Sequence, residues 1–408
     1  MKCRFCNHEL TRPFIDLVNS PPSNSFLKFE ELNEPEVYYP LKLFVCEKCF
    51  LVQVDEYKKS EEIFSDQYIY FSSYSRSWLE HAKAYAEMIT KRLELTPSSL
   101  VIEIASNDGY LLQYFKEKGI PCLGIEPARS AAEAARDRGI EVISEFFGVS
   151  LARQLTKQQK RADLLIGNNV FAHVPDINDF VKGLKIMLKP SGVMTFEFPH
   201  LMQLIEKNQF DTIYHEHFSY FSFYTVNRIF AEHGLVLFDV EELPTHGGSL
   251  RIYAGHKEDR FKKTSRHVGS LLERESSAGM QDLSYYSGFQ EEANKAKYKL
   301  LAFLIACKEQ GKRVAAYGAA AKGNTLLNYC GIKKDLMAFV ADASPHKQGK
   351  FLPGSHIPVV AEIEIKKSQP DYILIFPWNI REEIVRQLGY IRQWNGKFVL
   401  PIPELTVC

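Results

Sequence analysis

Four cysteines near the start of the chain form two Cys-x-x-Cys pairs that could hold a metal ion. The pairs are Cys3 with Cys6 and Cys46 with Cys49, separated by residues 7–45. Four thiolates match the tetrahedral coordination that Zn²⁺ prefers, and four protein ligands leave no open position for a reaction. We therefore predict a structural zinc ion that stabilises the fold. Four free thiols are the alternative.

A second group of reactive side chains lies among aromatic residues in the middle of the chain. Tyr214, His215, Glu216 and His217 follow one another directly. Removing a proton from a carbon next to a ketone needs a base with a pKa near neutrality, a donor for the enolate oxygen and exclusion of water. Histidine and tyrosine in an aromatic pocket can meet these needs. A second metal site, or a polar loop with buried structural histidines, remains an alternative.

A third feature is the polar loop of the segment VIEIASNDGYLL, which we call the cofactor loop (residues 103–109). Glu103 lies in a predicted strand, and Gly109 is predicted to open the following helix. Small residues in the loop let a ligand approach the backbone N–H groups at the helix start. Glu126 ends the next predicted strand, where its carboxylate can accept both hydroxyls of a ribose. The two features favour an adenosine ligand, and an ordinary turn with a capping Asp is the alternative.

Two further segments add candidate binding residues. The piece ADLLIGNN ends a predicted strand in Asn168 and Asn169, with His173 in the turn that follows, and such strand ends present residues to ligands. The piece QYIYFSSYS, which contains Tyr68, Tyr70 and Ser72, suits a lid or a substrate wall. A linker that packs on the core through its tyrosines fits this piece equally well.

The elements that must position these residues alternate between strand and helix. This alternation, over residues 76–257, is typical of a doubly wound parallel sheet, and the pieces LVLFDVEEL and GSLRIYAGH could complete that sheet antiparallel. A charged, mostly helical connector follows, and RVAAYGAAAKGN then begins a second, smaller α/β domain. We predict an N-terminal module (1–75), a central domain (76–257) and a C-terminal region (258–408).

Size and charge narrow the functional classes. The 408 residues exceed what one hydrophobic core usually supports. Lys plus Arg and Asp plus Glu both number 50, so no overall basic field attracts nucleic acid. The sequence has no signal peptide and no apolar run long enough to cross a bilayer, so we expect a cytoplasmic protein with no membrane partner. The oligomeric state is left open.

The cofactor loop resembles that of class I methyltransferases, in which an acidic strand residue and a glycine-rich loop bind the methionyl part of S-adenosylmethionine. Ala105 and Asn107 stand where the G-x-G form of this loop has glycines. The resemblance implies S-adenosylmethionine as the cofactor. The residues that would bind it are Glu103, Ala105, Asn107, Gly109, Glu126 and Asn168.

Over the whole chain, the sequence resembles the three-domain, zinc-containing sugar C-methyltransferases of deoxysugar biosynthesis. The motifs that carry the resemblance occur in one order: the two cysteine pairs, YxYFSSYS, EIASNDG, NNVFAHV, YHEHFSYFS, HGGSLR and GAAAKGN. The implied fold class is α/β, with an N-terminal zinc-binding module, a class I (Rossmann-like) methyltransferase core and a C-terminal Rossmann-like α/β domain.

The same resemblance implies a substrate and a set of roles. The substrate would be a dTDP- or GDP-linked 4-keto-6-deoxyhexose, methylated at C-3 after a proton is removed next to the C-4 ketone. His217 would be the base, and Tyr214, Glu216 and His173 would position the substrate or stabilise the enolate. Tyr68 would stand near the sugar.

The unit strand–GAAAKGN–helix could be a phosphate-binding turn, with Lys322 near a diphosphate and Asn324 beside it as a second candidate for binding substrate. Asp342, at the end of the next predicted strand, mimics the acid of a dinucleotide site. An NAD-dependent oxidoreductase of a nucleotide sugar is therefore the main alternative, although the G-x-G-x-x-G spacing is missing. The third hypothesis is a methyltransferase of other specificity, which acts on RNA or on a different small molecule. The balanced charge of the chain disfavours RNA as the substrate.

Overall fold

Three β-sheets organise the part of the chain that the computed structural model describes, residues 1–64 and 71–408. The predicted site residues Tyr68 and Tyr70 lie outside the described residues. Within those residues, no helix has both the length and the apolar character that a membrane crossing requires.

The helices and strands divide among the three predicted regions as follows. The N-terminal module contains β1 (Arg12–Ser20), β2 (Tyr39–Val45), β3 (Val52–Val54) and α1 (Ser60–Ile63). The central domain contains α2 (Arg76–Arg92), β4 (Val101–Ile104), α3 (Leu112–Glu117), β5 (Cys122–Ile125), α4 (Arg129–Asp137), β6 (Glu141–Ile143), α5 (Val149–Lys157), β7 (Ala162–Asn168), α6 (Ile177–Met187), β8 (Leu188–Pro199), α7 (Leu201–Glu206), β9 (Ser219–Tyr220), α8 (Phe223–Glu232), β10 (Leu235–Leu243) and β11 (Ser249–His256). The C-terminal region contains α9 (Arg266–Ser277), α10 (Phe289–Glu309), β12 (Val314–Tyr317), α11 (Ala321–Cys330), β13 (Val340–Ala341), β14 (Val359–Val360), α12 (Ile363–Ser368), β15 (Tyr372–Ile375), α13 (Arg381–Gln387), β16 (Lys397–Leu400) and β17 (Thr406–Val407).

The central sheet has the strand order β10-β11-β8-β7-β4-β5-β6. Its strands are parallel except for β11, which runs antiparallel to both β8 and β10. Apolar residues alternate between the two faces: Val101 packs with α2, α3 and α4, whereas Ile102 and Ile104 pack with α5, α6 and α8. The predicted α/β fold class is confirmed, and the carboxyl ends of β4, β7 and β8 meet at one edge of the sheet.

The helix after the cofactor loop begins later than the sequence predicts. It was expected to open at Gly109, but α3 begins at Leu112. Gly109 has a φ of 76°, which no residue of a right-handed α-helix adopts. The loop is therefore longer by one turn, which leaves more backbone at the edge where strands present their ligand-binding residues.

The C-terminal sheet has the strand order β14-β13-β12-β15-β16-β17 and is parallel except for β17. Its hydrophobic core is continuous with that of the N-terminal module. At the boundary, the ring of Phe14 on β1 stacks on Phe289 of α10 with 4.9 Å between ring centroids. The first and last parts of the chain therefore pack directly on each other.

The N-terminal sheet has the order β1-β2-β3-β9, so its fourth strand comes from the central domain. Gln53 of β3 pairs with Ser219 of β9, and Val52 pairs with Tyr220. The residues just before β9 are the reactive group predicted from the sequence. Backbone pairing therefore fixes one end of that segment to the N-terminal module.

Helix α9 packs against the central domain through a buried carboxylate. Glu275 is fully buried and accepts the backbone N–H groups of Phe223 and Tyr224, at the start of α8, at 2.7 Å each. It also accepts a hydrogen bond from Nε2 of the buried His200 at 2.6 Å. These bonds satisfy donors that a helix N-terminus leaves unpaired. Helix α9 lies beyond the predicted boundary at residue 257, and the three domain ranges remain predictions.

Replacing Glu275 with Ala should lower the free energy of unfolding by about 3 kcal/mol, because His200 and two backbone N–H groups would stay buried without an acceptor. Scanning calorimetry measures the loss. Glu242→Ala is the matched control: it removes an exposed ion pair with Arg274 of the same helix and should cost less than about 1 kcal/mol. Equal losses in the two variants would contradict the role given to Glu275.

Candidate active site

The four cysteines of the N-terminal module come together as the sequence predicts. Their sulfur atoms all lie within 4.8 Å of one another. The Sγ–Sγ distance is 3.5 Å both for Cys3 with Cys49 and for Cys6 with Cys46. A tetrahedral zinc ion with Zn–S bonds of about 2.3 Å needs sulfurs about 3.8 Å apart, so the donor set fits zinc closely.

Outer contacts orient these ligands and connect them to the central domain. The buried Gln53 donates from Nε2 to the sulfur of Cys3 at 3.3 Å and accepts the backbone N–H of Arg4 at 2.9 Å. Thr225 of α8 donates its hydroxyl to the carbonyl of Cys49 at 3.0 Å. Such partners hold metal ligands in place, and here they also join the metal site to α8.

The cofactor loop takes a conformation that explains its unusual residues. Ala105, Asn107 and Gly109 have φ values of 56°, 49° and 76°, all in the left-handed region. Glycine adopts this region without penalty, and asparagine tolerates it better than most residues. Ala105 and Asn107 therefore have the backbone conformation of the glycines they replace. At Gly109 itself a Cβ would lie 2.4 Å from Cδ1 of Ile140, so a side chain has no room.

Two buried carboxylates lie beside this loop. Glu126 accepts the backbone N–H of Asn107 at 2.9 Å and that of Ala128 at 2.8 Å, and burial raises its pKa to about 7. Burial also raises the pKa of Glu103 well above its usual range, and the nearby charges of Glu126 and Asp108 add to this effect. The carboxylate of Glu126 keeps lone pairs for ribose hydroxyls. Clustered acidic groups favour a ligand with positive charge.

Three buried acceptors near the same edge lack a hydrogen-bond partner within residues 1–64 and 71–408. They are Oδ1 of Asp108, Oδ1 of Asn168 and Oδ1 of Asn169. Buried polar atoms are rarely left unsatisfied, and each such case needs an explanation. A ligand that carries ammonium and hydroxyl donors would satisfy all three, which agrees with the predicted cofactor.

The segment 71–75 lies on the cofactor loop. Ser72 donates its backbone N–H to Oδ1 of Asn107 at 2.9 Å, and Ser73 donates its hydroxyl to Asp108. Arg138 donates to the hydroxyl oxygen of Ser73 at 2.9 Å and pairs with Asp108 at 3.3 Å. The contacts of Ser72 are therefore with the loop, and its predicted role in binding substrate remains a prediction.

His217 and Tyr214 form a hydrogen-bonded pair. Nδ1 of His217 donates to the carbonyl of Thr212 at 3.1 Å, which leaves Nε2 as the acceptor for the Tyr214 hydroxyl at 2.9 Å. Burial, with a smaller effect from His173, lowers the pKa of His217 well below its usual value. The imidazole is therefore neutral and carries its lone pair on Nε2.

His173 and Glu216 complete this cluster. The ring of His173 lies 4.7 Å from that of His217, and its Nδ1 donates to the backbone carbonyl of Glu216 at 2.8 Å. Burial lowers the pKa of His173 to about 4 and raises that of the Glu216 carboxyl to about 7. Asn24 of the N-terminal module donates to both carboxylate oxygens of Glu216, at 2.7 and 2.9 Å.

His215 points away from this cluster. Its Nε2 donates to the carbonyl of Pro40 at 3.1 Å, and its ring lies 5.9 Å from that of Tyr39 in the N-terminal module. Among the described residues, the group suited to a metal ion is the set of four cysteines. The alternative of a metal site on the histidines of this segment gains no support.

The C-terminal region contributes one wall of the cluster. Lys322 of α11 donates from Nζ to Oδ1 of Asn379 at 2.7 Å and lies 4.3 Å from the centre of the Trp378 ring. Burial lowers the pKa of Lys322 to about 8, and its positive charge lowers the pKa of His217. Trp378 donates its indole N–H to Asp211, next to the reactive segment, at 2.7 Å. Lys322 therefore lies close enough to act on the histidines electrostatically.

Packing accounts for both glycines of GAAAKGN. A Cβ on Gly318 would lie 2.4 Å from the ring of Pro377, and one on Gly323 would lie 2.6 Å from Phe376. Asn324 is buried and donates its amide to the carbonyl of Ser23 at 2.5 Å, so it contacts the N-terminal module. The roles predicted for Lys322 and Asn324 in binding substrate remain predictions.

Several residues of the cluster were not selected from the sequence. They are Asn24, Asp211, His246 and Trp378. His246 belongs to the HGGSLR stretch, so it had a local signal. Asn24 had none, because its partner Glu216 is 192 positions away in the sequence.

Three family models match successive parts of the chain. Residues 3–64 match the model described as "Putative zinc binding domain". Residues 78–240 match "Methyltransferase domain", and residues 244–403 match "C-methyltransferase C-terminal domain".

One relative matches over the full length. The chain is 33% identical over 406 residues to the C-methyltransferase NovU of Streptomyces niveus, a match that covers 100% of this chain and 96% of NovU. A ubiquinone biosynthesis O-methyltransferase of Bordetella avium is 28% identical over 98 residues, which is 24% of this chain and 41% of that enzyme. A solved S-adenosylmethionine-dependent methyltransferase from Thermotoga maritima covers 49% of this chain and 100% of its own, with 20% identity and a TM-score of 0.36.

Replacing Cys49 with Ser should reduce bound zinc from one ion per chain to none and lower the thermal unfolding temperature, because a structural site needs all four thiolates. Elemental analysis of the purified protein and calorimetry measure the two effects. Cys408→Ser, at an exposed cysteine, is the control and should change neither quantity. Full zinc content in the Cys49 variant would contradict the predicted site.

Asn24→Ala should destabilise the protein more at pH 8 than at pH 5. The raised pKa of Glu216 means that its carboxyl is protonated at pH 5, so the variant loses only a hydrogen bond there. Above pH 7 the buried carboxylate is ionised and would lack its amide donor, so the loss of stability grows as pH rises. Thermal unfolding at both pH values measures this difference.

The same substitution in a Glu216→Gln background is the control for Asn24→Ala. With no ionisable group at position 216, the effect of removing Asn24 should no longer depend on pH. A pH dependence that persists in this background would assign the effect to another group.

Proposed function

This chain belongs to the S-adenosylmethionine-dependent C-methyltransferase family, and we propose that its acceptor is C-3 of a dTDP- or GDP-linked 4-keto-6-deoxyhexose. S-adenosylmethionine supplies the methyl group, and the four cysteines hold a structural zinc ion. The observation that carries the proposal is the half-buried, hydrogen-bonded pair of Tyr214 and His217. The pair offers an unprotonated imidazole nitrogen beside a hydroxyl that can donate to an enolate oxygen, and both groups are useful for deprotonating a carbon next to a ketone.

We assign the base to His217. The hydrogen bond to the Thr212 carbonyl holds the proton on Nδ1, so Nε2 is the atom that accepts a proton. Burial keeps the imidazole neutral, and a base must be unprotonated before it acts. The Tyr214 hydroxyl, 2.9 Å from Nε2, marks the direction from which the substrate C–H approaches.

The proton of C-3 passes to Nε2 of His217, and the electron pair of the broken C–H bond forms an enolate with the C-4 ketone. S-adenosylmethionine, when bound, would supply an electrophilic methyl group: C-3 would bond to it as the methyl–sulfur bond breaks with its electron pair left on sulfur, S-adenosylhomocysteine would be the leaving group, and the ketone would be restored. His173, against His217, and Glu216, held by Asn24, position the substrate beside this base. A buried site limits the return of a proton from water to the carbanion.

The nucleotide of the substrate needs space and positive charge. A cavity of about 550 Å³ lies between the central domain and the C-terminal region. Lys207 and Arg381 line the cavity, and their positive charges suit a diphosphate. Trp378 also lines the cavity, and Lys322 contacts its ring. We assign this cavity to the nucleotide and the neighbouring histidine cluster to the sugar.

The oxidoreductase alternative is not needed to explain the C-terminal region. Residues 244–403 match a C-methyltransferase model, and packing accounts for the glycines that suggested a phosphate-binding turn. Lys322 lies against the ring of Trp378, whose indole N–H donates to Asp211 beside the reactive segment. The region therefore acts as the substrate-side wall of one active site.

His217→Asn should lower the rate of solvent exchange at C-3 at least about 100-fold, because general bases commonly contribute factors of this size. Mass spectrometry of dTDP-4-keto-6-deoxyglucose and its GDP analogue, incubated with the protein in D₂O, measures the exchange. Binding of S-adenosylmethionine, measured by calorimetry, should be unchanged. The matched control is His215→Asn, at the neighbouring imidazole that faces the N-terminal module. Exchange at the wild-type rate in the His217 variant would exclude this residue as the base.

A further inference from the structure

We propose that His246 is a further catalytic residue, which donates a hydrogen bond from Nδ1 to the ketone oxygen of the substrate and thereby stabilises the enolate. The inference rests on the function proposed above, because it requires a ketone substrate. His246 lies in the turn between β10 and β11, outside the Tyr214 to His217 segment.

The hydrogen bond to His246 fixes where its proton lies. The amide of Asn169 donates from Nδ2 to Nε2 of His246 at 3.1 Å. Nε2 therefore carries the lone pair, and the neutral ring carries its proton on Nδ1. Nothing within the described part of the chain accepts this proton. The half-buried His246 thus presents an unused N–H donor.

The turn that carries His246 is held on both sides in a conformation that few residues adopt. His246 has φ 53° and ψ 21°, in the left-handed region. Thr245 donates its hydroxyl to Glu197 at 2.7 Å, and the carbonyl of Gly247 accepts from Gln209 at 3.0 Å. Strained conformations persist where surrounding contacts enforce them, and they concentrate at functional sites.

The ring of His246 lies between the cofactor loop and the base. Its centroid is 5.3 Å from that of Trp78, which in turn stacks 5.9 Å from Tyr110, directly after the loop. Its partner Asn169 follows β7, the strand next to β4. On the other side, Asn169 lies four residues before His173, whose ring is 4.7 Å from that of His217. A substrate carbon between methyl donor and base would therefore have His246 as a neighbour.

The charge around His246 suits a donor to an enolate. Burial, and next the positive charge of Lys322, lower its pKa to about 4, so the ring stays neutral. A neutral imidazole can donate to a developing oxyanion without giving up its proton. Fixed donors of this kind act strongly in a buried site because they need no reorganisation during the reaction.

The step balances without any further reactant. The C-3 proton moves to His217, and the electron pair of the C–H bond moves into the enolate, whose negative charge lies mainly on oxygen. His246 keeps its proton and only donates the hydrogen bond. When the C–C bond to the methyl group forms, the carbonyl is restored. The hydrogen bond from His246 to its oxygen then weakens.

The test compares two variants, His246→Ala and His246→Asn, with the wild type. The amide nitrogen of Asn reaches about the position of Nδ1, so Asn can replace the donor. Loss of one oxyanion donor typically costs about 100- to 1,000-fold in kcat. We expect a loss of this size for His246→Ala, in both C-3 exchange and methylation of dTDP-4-keto-6-deoxyglucose or its GDP analogue. The KM and the Kd for S-adenosylmethionine should stay within about threefold, and His246→Asn should recover at least about tenfold.

A third variant, Asn169→Asp, tests the proton position itself. A carboxylate at position 169 accepts a hydrogen bond from Nε2–H and so moves the proton away from Nδ1 of His246. Exchange should then fall about as far as in His246→Ala, although the imidazole is still present. A role of His246 in packing alone predicts exchange close to the wild-type rate in this variant.

The outcomes separate this inference from the proposed function. If the wild type exchanges and methylates the sugar and His246→Ala keeps kcat within about threefold, the role of His246 is overturned and the function stands. The role is equally overturned if Ala and Asn variants lose activity together with cofactor binding. If the wild type acts on neither nucleotide sugar, the proposed function falls and this inference falls with it.

Discussion

The backbone pairing of β3 with β9 is the constraint on which the arrangement of the reaction cluster depends. Strand β3 directly follows the second cysteine pair, and its Gln53 contacts the sulfur of Cys3. Strand β9 directly follows His217 and pairs with β3 through Ser219 and Tyr220. The metal site and the reactive segment, which are separate patterns in the sequence, therefore flank neighbouring strands of one sheet. A structural ion thus helps to set the position of the candidate reactive residues.

Burial gives the cluster its electrostatic character. It lowers the pKa of His173, His217 and His246 and raises that of Glu216, so these groups favour their neutral forms. Backbone carbonyls and amide side chains then decide which nitrogen of each ring carries the proton. In His217 the lone pair is on Nε2, whereas in His246 the free N–H is on Nδ1. The same residue type can therefore act as an acceptor in one place and as a donor in another.

Local patterns in the sequence predict the fold and the metal site well, because strands, helices and Cys-x-x-Cys pairs depend on nearby residues. The start of α3 was predicted too early, since nothing in the sequence shows the left-handed conformation of Gly109. Within the candidate site, Tyr214 and His217 are close in sequence and were selected. Asn24 could not be, since its role depends on Glu216, which only the tertiary fold brings near. Contacts between domains are the part that sequence patterns do not record.

Trp378 lies near the end of the chain, and its position decides when the reaction cluster can be completed during synthesis of the protein. Trp378 donates its indole N–H to Asp211, and Lys322 contacts its ring. These contacts form the wall beside the reactive segment. The cofactor loop and the reactive segment leave the ribosome well before this residue does. A nascent chain can therefore fold its central sheet while the reaction cluster is still open to water. Only the nearly finished polypeptide places this wall beside the histidines, so the complete cluster forms late in translation.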